Sequence, residues 1–320
     1  MRSGFSFWVL PMKMIFIKLC LLFSFFQTPL LSADSRHLSA TFFLSFGEMG
    51  RSPGSFNRPV GVSVDANGNI YVIDTGNNLL QKFDETGRLL HFIGGFGWDK
   101  EQFQIPVDLF VYNSLDIYVA DFENGRIERY DKDLNYITSY YSNSNWESRY
   151  QFEFPQSVAM SLHGDFFIID AQNNRITKYN TSFEPELTFG DYDWGQGILQ
   201  EPSHLFVSKN DLIYVSDSRA GKILVYDYFG NYIQDFAAQY LSSPKGLCLD
   251  EQGHLFVADS KLHRVFVFDK NENLLCEFGS LGTKLGAFQE PYDVAVVREK
   301  LYVADSQNHR IQGFKLEWQK

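Results

Sequence analysis

Residues 59–92 read PVGVSVDANGNIYVIDTGNNLLQKFDETGRLLHF. Four short runs rich in apolar residues, at 61–64, 70–73, 80–83 and 89–92, are separated by turn residues. Gly68 and Gly87 lie in two of these turns, and glycine supplies the positive φ that tight hairpins require. The stretch therefore predicts four short antiparallel strands joined by tight turns.

The same pattern recurs six times along the chain, with a period in the forties. Each unit begins near a proline: Pro59, Pro106, Pro155, Pro202, Pro244 and Pro291. An aspartate follows each proline after 14 or 15 residues: Asp74, Asp121, Asp170, Asp217, Asp259 and Asp305. Five residues after each aspartate the chain has Leu79, Arg126, Arg175, Lys222, Arg264 and Arg310. Nine residues after it an aromatic residue always occurs: Phe83, Tyr130, Tyr179, Tyr226, Phe268 and Phe314.

Four-stranded antiparallel units of this length are typical of β-propeller blades, which stack on one another to bury both faces of each sheet. We therefore predict an all-β fold, a six-bladed β-propeller of four-stranded antiparallel blades, as a single domain over residues 34–320. The sixth unit has no fourth strand after Ile311–Leu316. Residues 41–47 resemble the outer strands that end at Gly190 and Gly279, so we expect this N-terminal strand to complete the last blade. Such closure removes an exposed sheet edge.

Residues 1–33 have the order of a secretory signal peptide. Lys13 and Lys18 precede an apolar run at 19–26, Pro29 follows, and residues 32–33 are small enough for cleavage. A retained N-terminal anchor is the alternative, because the stretch 15–31 has the minimum length of a membrane-spanning helix. We expect the mature protein to be secreted or periplasmic, with membrane contact only if this segment is not cleaved.

The composition is that of a globular protein, and the charge excludes one class of partner. The formal net charge is 28 − 39 = −11, and cleavage after residue 33 would make it (28 − 3) − 39 = −14. A protein that binds nucleic-acid phosphates needs a basic face, so we expect no nucleic-acid partner. Cys248 and Cys276 fall on the first and fourth strands of one unit, which is too far apart for a disulfide, and we expect two free thiols.

The order of proline, glycine, Ile-Tyr-Val, Asp-x-x-Asn-x-Arg and an aromatic residue resembles the NHL repeat. Residues 170–176 (DAQNNRI) and 305–311 (DSQNHRI) are close matches, and the resemblance covers about residues 40–318. It implies a six-bladed propeller and says little about function, because propellers carry many activities. Two units depart from the pattern. The first has Leu79 where the others have a basic residue, and the third lacks the final glycine of the outer strand at residues 139–141.

The six repeated aspartates and their basic neighbours could be taken for six binding sites. A residue that recurs in every unit is more simply explained as part of the structure of the unit. A carboxylate at the end of a strand can accept N–H bonds from the following turn and pair with the basic residue. Function is therefore to be sought where the units differ.

The units differ first at the position two residues after each proline, near the central axis. Gly61 and Gly246 keep the glycine of the repeat, and the other units have Asp108, Ser157, His204 and Asp293. Asp108, His204 and Asp293 belong to alternate blades, and two carboxylates with one imidazole could bind a ligand or hold a divalent cation. The simpler interpretation is a water-filled channel, and we expect no bound metal and no cofactor.

Peptidylglycine amidating lyase, which these repeats loosely resemble, is a six-bladed propeller whose axial zinc is held by histidines directly after the proline of the repeat. The corresponding residues here are Val60, Val107, Gln156, Ser203, Lys245 and Tyr292. The resemblance therefore does not extend to the zinc ligands. No Ser/His/Asp constellation or glycine-rich phosphate loop stands out either, and no catalytic residue is assigned.

The units differ secondly in the connections between blades. Trp98, Trp146 and Trp194 lie eight or nine residues before the proline of the next blade, in three consecutive connections, with Tyr150 and Tyr192 near them. Exposed aromatic clusters on loops often mark recognition sites. The alternative is that these rings cap the ends of the blades. We take them, with the three axial residues, as candidate ligand-binding residues.

These observations favour an exported, non-enzymatic binding or scaffold module for a protein, peptide or saccharide ligand, and we expect a monomer. A metal-dependent lyase or hydrolase on the same propeller is the alternative.

Overall fold

A computed structural model describes residues 37–112, 115–192 and 195–319 of the chain. Within these ranges the chain forms six four-stranded sheets, with short 3-10 turns such as Thr75–Asn77 and Ser306–Asn308. No helical segment in the described ranges is long and apolar enough to cross a membrane. The expected signal peptide, residues 1–33, lies outside the described residues.

The six blades follow one another along the chain, except that the first strand, β1 (His37–Phe46), belongs to the last blade. Blades 1 and 2 consist of β2 (Pro59–Val64), β3 (Ile70–Asp74), β4 (Leu79–Phe83), β5 (Leu89–Gly94) and of β6 (Pro106–Tyr112), β7 (Asp116–Asp121), β8 (Arg126–Asp131), β9 (Tyr136–Tyr141). Blades 3 and 4 consist of β10 (Pro155–Met160), β11 (Phe166–Asp170), β12 (Arg175–Tyr179), β13 (Pro185–Phe189) and of β14 (Pro202–Val207), β15 (Ile213–Asp217), β16 (Lys222–Tyr226), β17 (Tyr232–Phe236). Blades 5 and 6 consist of β18 (Pro244–Leu249), β19 (Leu255–Asp259), β20 (Arg264–Phe268), β21 (Leu274–Phe278) and of β22 (Pro291–Val297), β23 (Lys300–Asp305), β24 (Arg310–Gln319) with β1.

The repeated proline and aspartate mark the two ends of one hairpin. In every blade the inner strand begins with the proline, the second strand ends with the aspartate, and the two are cross-strand partners, as Pro59 and Asp74 are. Proline has no N–H to donate, so it is tolerated at the first residue of a strand. The spacing of 14 or 15 residues read from the sequence is therefore the length of the first hairpin of each blade.

The N-terminal strand closes the ring. β1 pairs antiparallel with β24, with Phe42 opposite Phe314 and Thr41 opposite Lys315, in a sheet of order β1-β24-β23-β22. The inner strands contact one another in the order β2, β6, β10, β14, β18, β22 and back to β2. The predicted fold class and the predicted closure of the last blade are confirmed.

The hydrophobic core lies between neighbouring blades. One cluster joins buried Ile73 of blade 1 to Leu109 and Val119 of blade 2, and five further clusters bury the faces of the other blades. Cys248, which is buried in one of these clusters, and Cys276 are free thiols, as expected. Because each sheet has two apolar faces, its stability depends on both neighbours.

Because consecutive strands of a blade run in opposite directions, the loops of the propeller divide between its two faces. The connections between blades, and the turns between second and third strands, lie at one end of the sheets, which we call the connection face. The turns between first and second strands, and between third and fourth strands, lie at the other end, the hairpin face.

The repeated aspartates bind the connection that precedes their own blade. The carboxylate of Asp74 accepts the backbone N–H of Asn57 at 2.6 Å, and that of Asp217 accepts the N–H of Gln200 at 2.6 Å. In both cases the donor lies two residues before the proline of the unit. Burial raises the pKa of Asp74 to about 6 in spite of the hydrogen bonds that lower it. These aspartates are structural, as the sequence predicted, but they hold the incoming connection as well as the following turn.

The basic residue of the repeat pairs with the aspartate of its own unit in blades 2, 3 and 6 only, at 2.7–3.2 Å. In blade 4, Lys222 pairs instead with Asp235 of the outer strand at 2.7 Å, and in blade 5, Arg264 pairs with Glu277. The expectation of an ion pair in every unit with a basic residue is wrong for these two blades, because an acid on the neighbouring outer strand takes the cation.

Candidate functional site

The predicted aromatic residues divide between solvent and the blades. Trp98 and Tyr192 are 71% and 79% exposed, on the connections that lead into blades 2 and 4. Trp194, the third predicted tryptophan, lies outside the described residues. The exposed rings are free to meet a ligand.

In the connection into blade 3, the ring of Trp146 packs against that blade. The half-buried Trp146 ring lies 5.5 Å from the ring of Tyr179, and its Nε1–H donates to Glu184 at 3.3 Å. The carbonyl oxygen of Tyr150 accepts the hydroxyl of Tyr179 at 2.6 Å, and the guanidinium of Arg149 lies 4.6 Å from the Tyr150 ring. Trp146 therefore has the capping environment that was the alternative interpretation, whereas the ring of Tyr150 contacts Arg149 of its own connection.

Three connections share one backbone structure, at residues 47–56, 94–103 and 279–288. In the first, the N–H of Gly50 donates to the carbonyl of Phe56 at 3.0 Å, and the N–H of Phe56 donates to the carbonyl of Glu48 at 2.9 Å. The equivalent pair of bonds closes the other two loops at 2.9–3.2 Å. A parallel bridge accompanies each closure. The three loops are therefore versions of one closed structure.

The closure explains why each of these loops begins with glycine. Gly47 has a φ of 88°, and a Cβ on it would lie 2.3 Å from the ring of Phe56. Gly279 has a φ of 95°, and a Cβ there would lie 2.4 Å from the ring of Phe288. Any other residue would meet both a strained backbone and a buried ring. The signal for this structure was present in the sequence, as a phenylalanine nine residues after a glycine.

The three loops present apolar side chains on one half of the connection face. They lead into blades 6, 1 and 2, which are neighbours in the ring. Two residues after the initial glycine they carry Leu281, Met49 and Phe96, which are 66%, 75% and 67% exposed. Trp98 and Leu285, 71% and 59% exposed, extend this set. We call these five side chains the apolar crescent; of the five, only Trp98 was named as a site residue from the sequence.

Side chains of the third strands hold these loops in place. Arg126, whose side chain is 3% exposed, donates to three carbonyls of the loop 94–103, including that of Trp98 at 3.0 Å. Arg310 donates to three carbonyls of the loop 279–288 in the same way. Blade 1 has Leu79 in place of the arginine, and there Gln81 binds its loop through the N–H of Gly54 at 2.7 Å. The crescent is therefore carried on preorganised backbone.

The three predicted axial residues meet on the axis. Ligand atoms of Asp108, His204 and Asp293 all lie within 4.8 Å of one another, and Nε2 of His204 lies 3.4 Å from Oδ1 of Asp108. Burial lowers the pKa of His204, but the carboxylates of Asp108 and Asp293 outweigh it and raise the pKa to about 9. Burial raises the pKa of Asp293 to about 7. His204 and Asp293 also line a cavity of about 210 Å³ that is surrounded by all six inner strands.

Both axial carboxylates join neighbouring blades. Asp293 of blade 6 accepts the N–H of Val62 in blade 1 at 2.7 Å, and its other oxygen accepts the N–H of the residue after it at 2.8 Å. Asp108 of blade 2 accepts the N–H of Val158 in blade 3 at 3.0 Å, and likewise the N–H of its own following residue at 2.8 Å. The two axial carboxylates therefore help to hold neighbouring blades together.

A glycine leaves room for one of the axial carboxylates. Gly246 lies in the blade before Asp293, and a Cβ on Gly246 would lie 1.9 Å from an oxygen of that carboxylate. Ser157 forms the corresponding contact between blades 3 and 4, where its hydroxyl oxygen accepts the N–H of Leu205 at 3.2 Å. The variation two residues after the proline therefore has a structural component that the sequence alone did not reveal.

The axial set offers two carboxylates and one imidazole, a donor set that suits a divalent cation. A cation would have to displace the proton of His204 and share carboxylate oxygens that already accept backbone N–H groups. The Nδ1 atom of His204 is buried without a partner among the described residues. As they stand, half-buried His204 and buried Asp108 form an ion pair with Asp293 as a neighbouring acid.

The sequence profile of the NHL repeat matches residues 56–83, 241–268 and 288–314. Each match runs from the connection through the third strand of a blade, in blades 1, 5 and 6. The chain carries NHL repeats. The resemblance of the repeated units to this family is confirmed together with the propeller fold.

Parts of the chain are similar in sequence to three curated proteins. The chain is 27% identical over 202 residues to human NHL repeat-containing protein 3, and the aligned part covers 60% of this chain and 56% of that protein. It is 30% identical over 153 residues to a probable peptidyl-alpha-hydroxyglycine alpha-amidating lyase of Caenorhabditis elegans, over 45% of this chain and 42% of that one. It is 40% identical over 77 residues to protein brain tumor of Drosophila melanogaster, over 24% of this chain and 7% of that one. The aligned part thus spans less than two thirds of each of these relatives.

Solved structures share the fold at low sequence identity. A streptogramin B lyase superposes with a TM-score of 0.60 and 12% identity, over 88% of this chain and 98% of that one. Virginiamycin B lyase from Staphylococcus aureus superposes with a TM-score of 0.58 and 12% identity, over 88% of this chain and 100% of that one. At this level of identity the similarity concerns the propeller alone.

Proposed function

We propose that the NHL-repeat propeller acts as a non-enzymatic binding or scaffold module, which recognises a protein, peptide or saccharide through the apolar crescent on its connection face. The observation that carries the proposal is one closed loop repeated in three neighbouring blades, each with an apolar side chain at the same position and at least 66% exposed. Exposed apolar side chains gathered on one side of a soluble protein often mark an interaction site.

The charges around the crescent suit a protein-like partner. Arg51, Lys100 and Lys284 are exposed on the three loops, and Glu48 and Asp99 are exposed beside them. Since both signs are present, the loops offer an apolar centre with a mixed polar rim, which is typical of protein interfaces.

The test compares two phenylalanines of equal exposure on opposite faces. Phe96 of the crescent is 67% exposed, and Phe229, in a turn of the hairpin face, is 66% exposed. The protein is screened on glycan and peptide arrays, and the strongest ligand is titrated against Phe96→Ala and Phe229→Ala. Loss of an aromatic anchor costs about 2 kcal/mol or more, so Phe96→Ala should bind about thirtyfold more weakly, with Phe229→Ala unchanged. Equal affinities, or the absence of any saturable ligand, contradict the proposal.

A metal-dependent lyase or hydrolase is the second candidate. It is supported by the convergence of Asp108, His204 and Asp293 and by the similarity to the probable amidating lyase of Caenorhabditis elegans. Metal analysis of the purified protein distinguishes the two candidates. One equivalent of a divalent metal that is lost in His204→Gln supports the enzyme, whereas substoichiometric metal in both proteins supports the binding module.

We further propose that the chain is exported and monomeric. The order of charged, apolar and small residues at 1–33 supports export. N-terminal sequencing of the protein recovered from the culture medium or periplasm, with size-exclusion chromatography, tests both points. A chain that is retained inside the cell with residues 1–33 intact contradicts export.

A further inference from the structure

The turn between the third and fourth strands has one structure in five blades. Its first residue accepts, at Oδ1, the N–H groups of the residues two and four positions later, at 2.8–3.1 Å. In four of these blades the residue is an aspartate: Asp84, Asp131, Asp227 and Asp269. In blade 3 it is Asn180, the first residue of the single Asn-x-Ser/Thr sequence in the chain, Asn180-Thr181-Ser182.

Asn180 differs from the four aspartates at its second side-chain atom. In the aspartate turns the carboxylate also accepts a hydrogen bond from the side chain four residues later, at 2.8–3.0 Å. In blade 3 that residue is Glu184, which accepts the Nε1–H of Trp146 instead. Nδ2 of Asn180 donates no hydrogen bond among the described residues, and it is not one of the buried unpaired atoms. Asn180 as a whole is half-buried, and its amide nitrogen keeps contact with solvent.

We infer that Asn180 is an N-glycosylation site. The modification needs an accessible asparagine amide with a hydroxyl-bearing residue two positions later. Thr181 and Ser182 are both exposed. An oligosaccharide carried on a polyprenyl diphosphate supplies the glycan: a bond forms from Nδ2 of Asn180 to the anomeric carbon, the bond from that carbon to the diphosphate oxygen breaks, Nδ2 loses one proton, and the polyprenyl diphosphate leaves.

The position of Asn180 keeps the glycan away from the proposed ligand. The turn between β12 and β13 lies on the hairpin face, whereas the apolar crescent lies on the connection face. Oδ1 of Asn180 holds the turn, so the modified nitrogen is the one side-chain atom on which the fold places no demand. A bulky, soluble group here would leave recognition by the crescent unaffected. The inference rests on the proposed export, because the transfer takes place in the secretory pathway.

The experiment expresses the full chain in a secretory eukaryotic host, in two forms. One form keeps residues 1–33, and the other replaces them with a heterologous signal peptide. Peptide N-glycosidase should shift the mobility of both secreted forms and leave aspartate at position 180, identified by mass spectrometry. Asn180→Asp and Ser182→Ala should each abolish the shift. Ser182→Ala should also keep the melting temperature, because the side chain of Ser182 is exposed and the turn uses only its backbone N–H.

The outcomes separate this inference from the proposed export. An unmodified Asn180 in the protein secreted behind the heterologous signal overturns the inference. Glycosylation in that form alone, with the native N-terminus retained inside the cell, contradicts export and leaves the acceptor site established. A mobility shift that persists in both Asn180→Asp and Ser182→Ala places the modification elsewhere and also overturns it.

Discussion

Asp293 accepts the backbone N–H of Val62 at 2.7 Å, and this bond crosses the junction between the last blade and the first. The same carboxylate accepts the N–H of Val294 at 2.8 Å. Asp293 is 3% exposed, so this bond is shielded from bulk water. The two ends of the ring are therefore joined at the axis by a buried polar contact, and at the periphery by the pairing of β1 with β24.

Replacing Asp293 with alanine should destabilise the propeller. It leaves the N–H groups of Val62 and Val294 without acceptors, at about 1–3 kcal/mol for each buried donor. Urea unfolding at neutral pH measures the loss. Asp133→Ala is the control, because that side chain is 59% exposed and should cost far less. Equal stability of the two variants would show that water or a backbone shift satisfies the axial donors.

Removal of the N-terminal strand should expose the edge of the last blade. Deletion of residues 34–47 leaves β24 without its partner along the whole length of β1. An unpaired edge strand templates association, so the truncated protein should aggregate or melt at a much lower temperature. Thr41→Ala, an exposed change within β1, serves as the control for the strand itself. A truncated protein that elutes as a monomer with unchanged melting would refute the structural role of the closure.

Arg126 in blade 2 should contribute more to the free energy of unfolding than the equivalent Lys222 in blade 4. Arg126 is 3% exposed and binds both Asp121 and the carbonyls of its loop, whereas Lys222 is 25% exposed and pairs only with Asp235. Arg126→Met leaves a buried carboxylate and several carbonyls unpaired, and should cost about 3 kcal/mol or more. Lys222→Met removes a partly exposed pair worth about 1 kcal/mol or less. The two free energies of unfolding, measured in urea, make the comparison. Similar losses would mean that the loop contacts of Arg126 contribute little.

The fold was predictable because each blade repeats the same few constraints. A proline starts the inner strand, an aspartate ends the second, and a buried aromatic residue ends the third, as in Pro59, Asp74 and Phe83. These constraints are local to one unit, so they appear as spacings in the sequence. The missing partner of β24 was predictable for the same reason, since 41–47 has the pattern of an outer strand.

The site was predictable only in part, because it depends on contacts between units. The meeting of Asp108, His204 and Asp293 follows from their equivalent positions in alternate blades. Their bonds to backbone N–H groups of the next blade depend on the stagger between inner strands, which no single unit encodes. The exposure of Phe96 could not be predicted from the sequence either, because it depends on how its connection closes on Phe103. Tryptophan content alone directed attention to Trp146, which packs against blade 3.

The stability of the protein should fall in alkaline solution because of His204. The carboxylates of Asp108 and Asp293 overcome the effect of burial and raise the pKa of His204 from 6.5 to about 9. A group with a higher pKa in the folded state stabilises the protein fully below its unfolded pKa, and that contribution is lost as the pH rises through the folded pKa. The free energy of unfolding should therefore decrease between pH 6.5 and about pH 9, by at most about 3 kcal/mol.

Two variants isolate this contribution. His204→Gln should flatten the alkaline decrease, whereas His163→Gln should keep it, because His163 is 62% exposed. Asp293 acts at lower pH: burial raises its pKa from 3.8 to about 7, so its contribution is greatest below pH 3.8 and is lost as the pH rises through about 7. Urea unfolding across the alkaline range, at constant ionic strength, measures the slope for each protein. A slope that is the same in wild type and His204→Gln would mean that the axial imidazole is neutral in the folded protein, which would in turn remove one obstacle to a metal at this position.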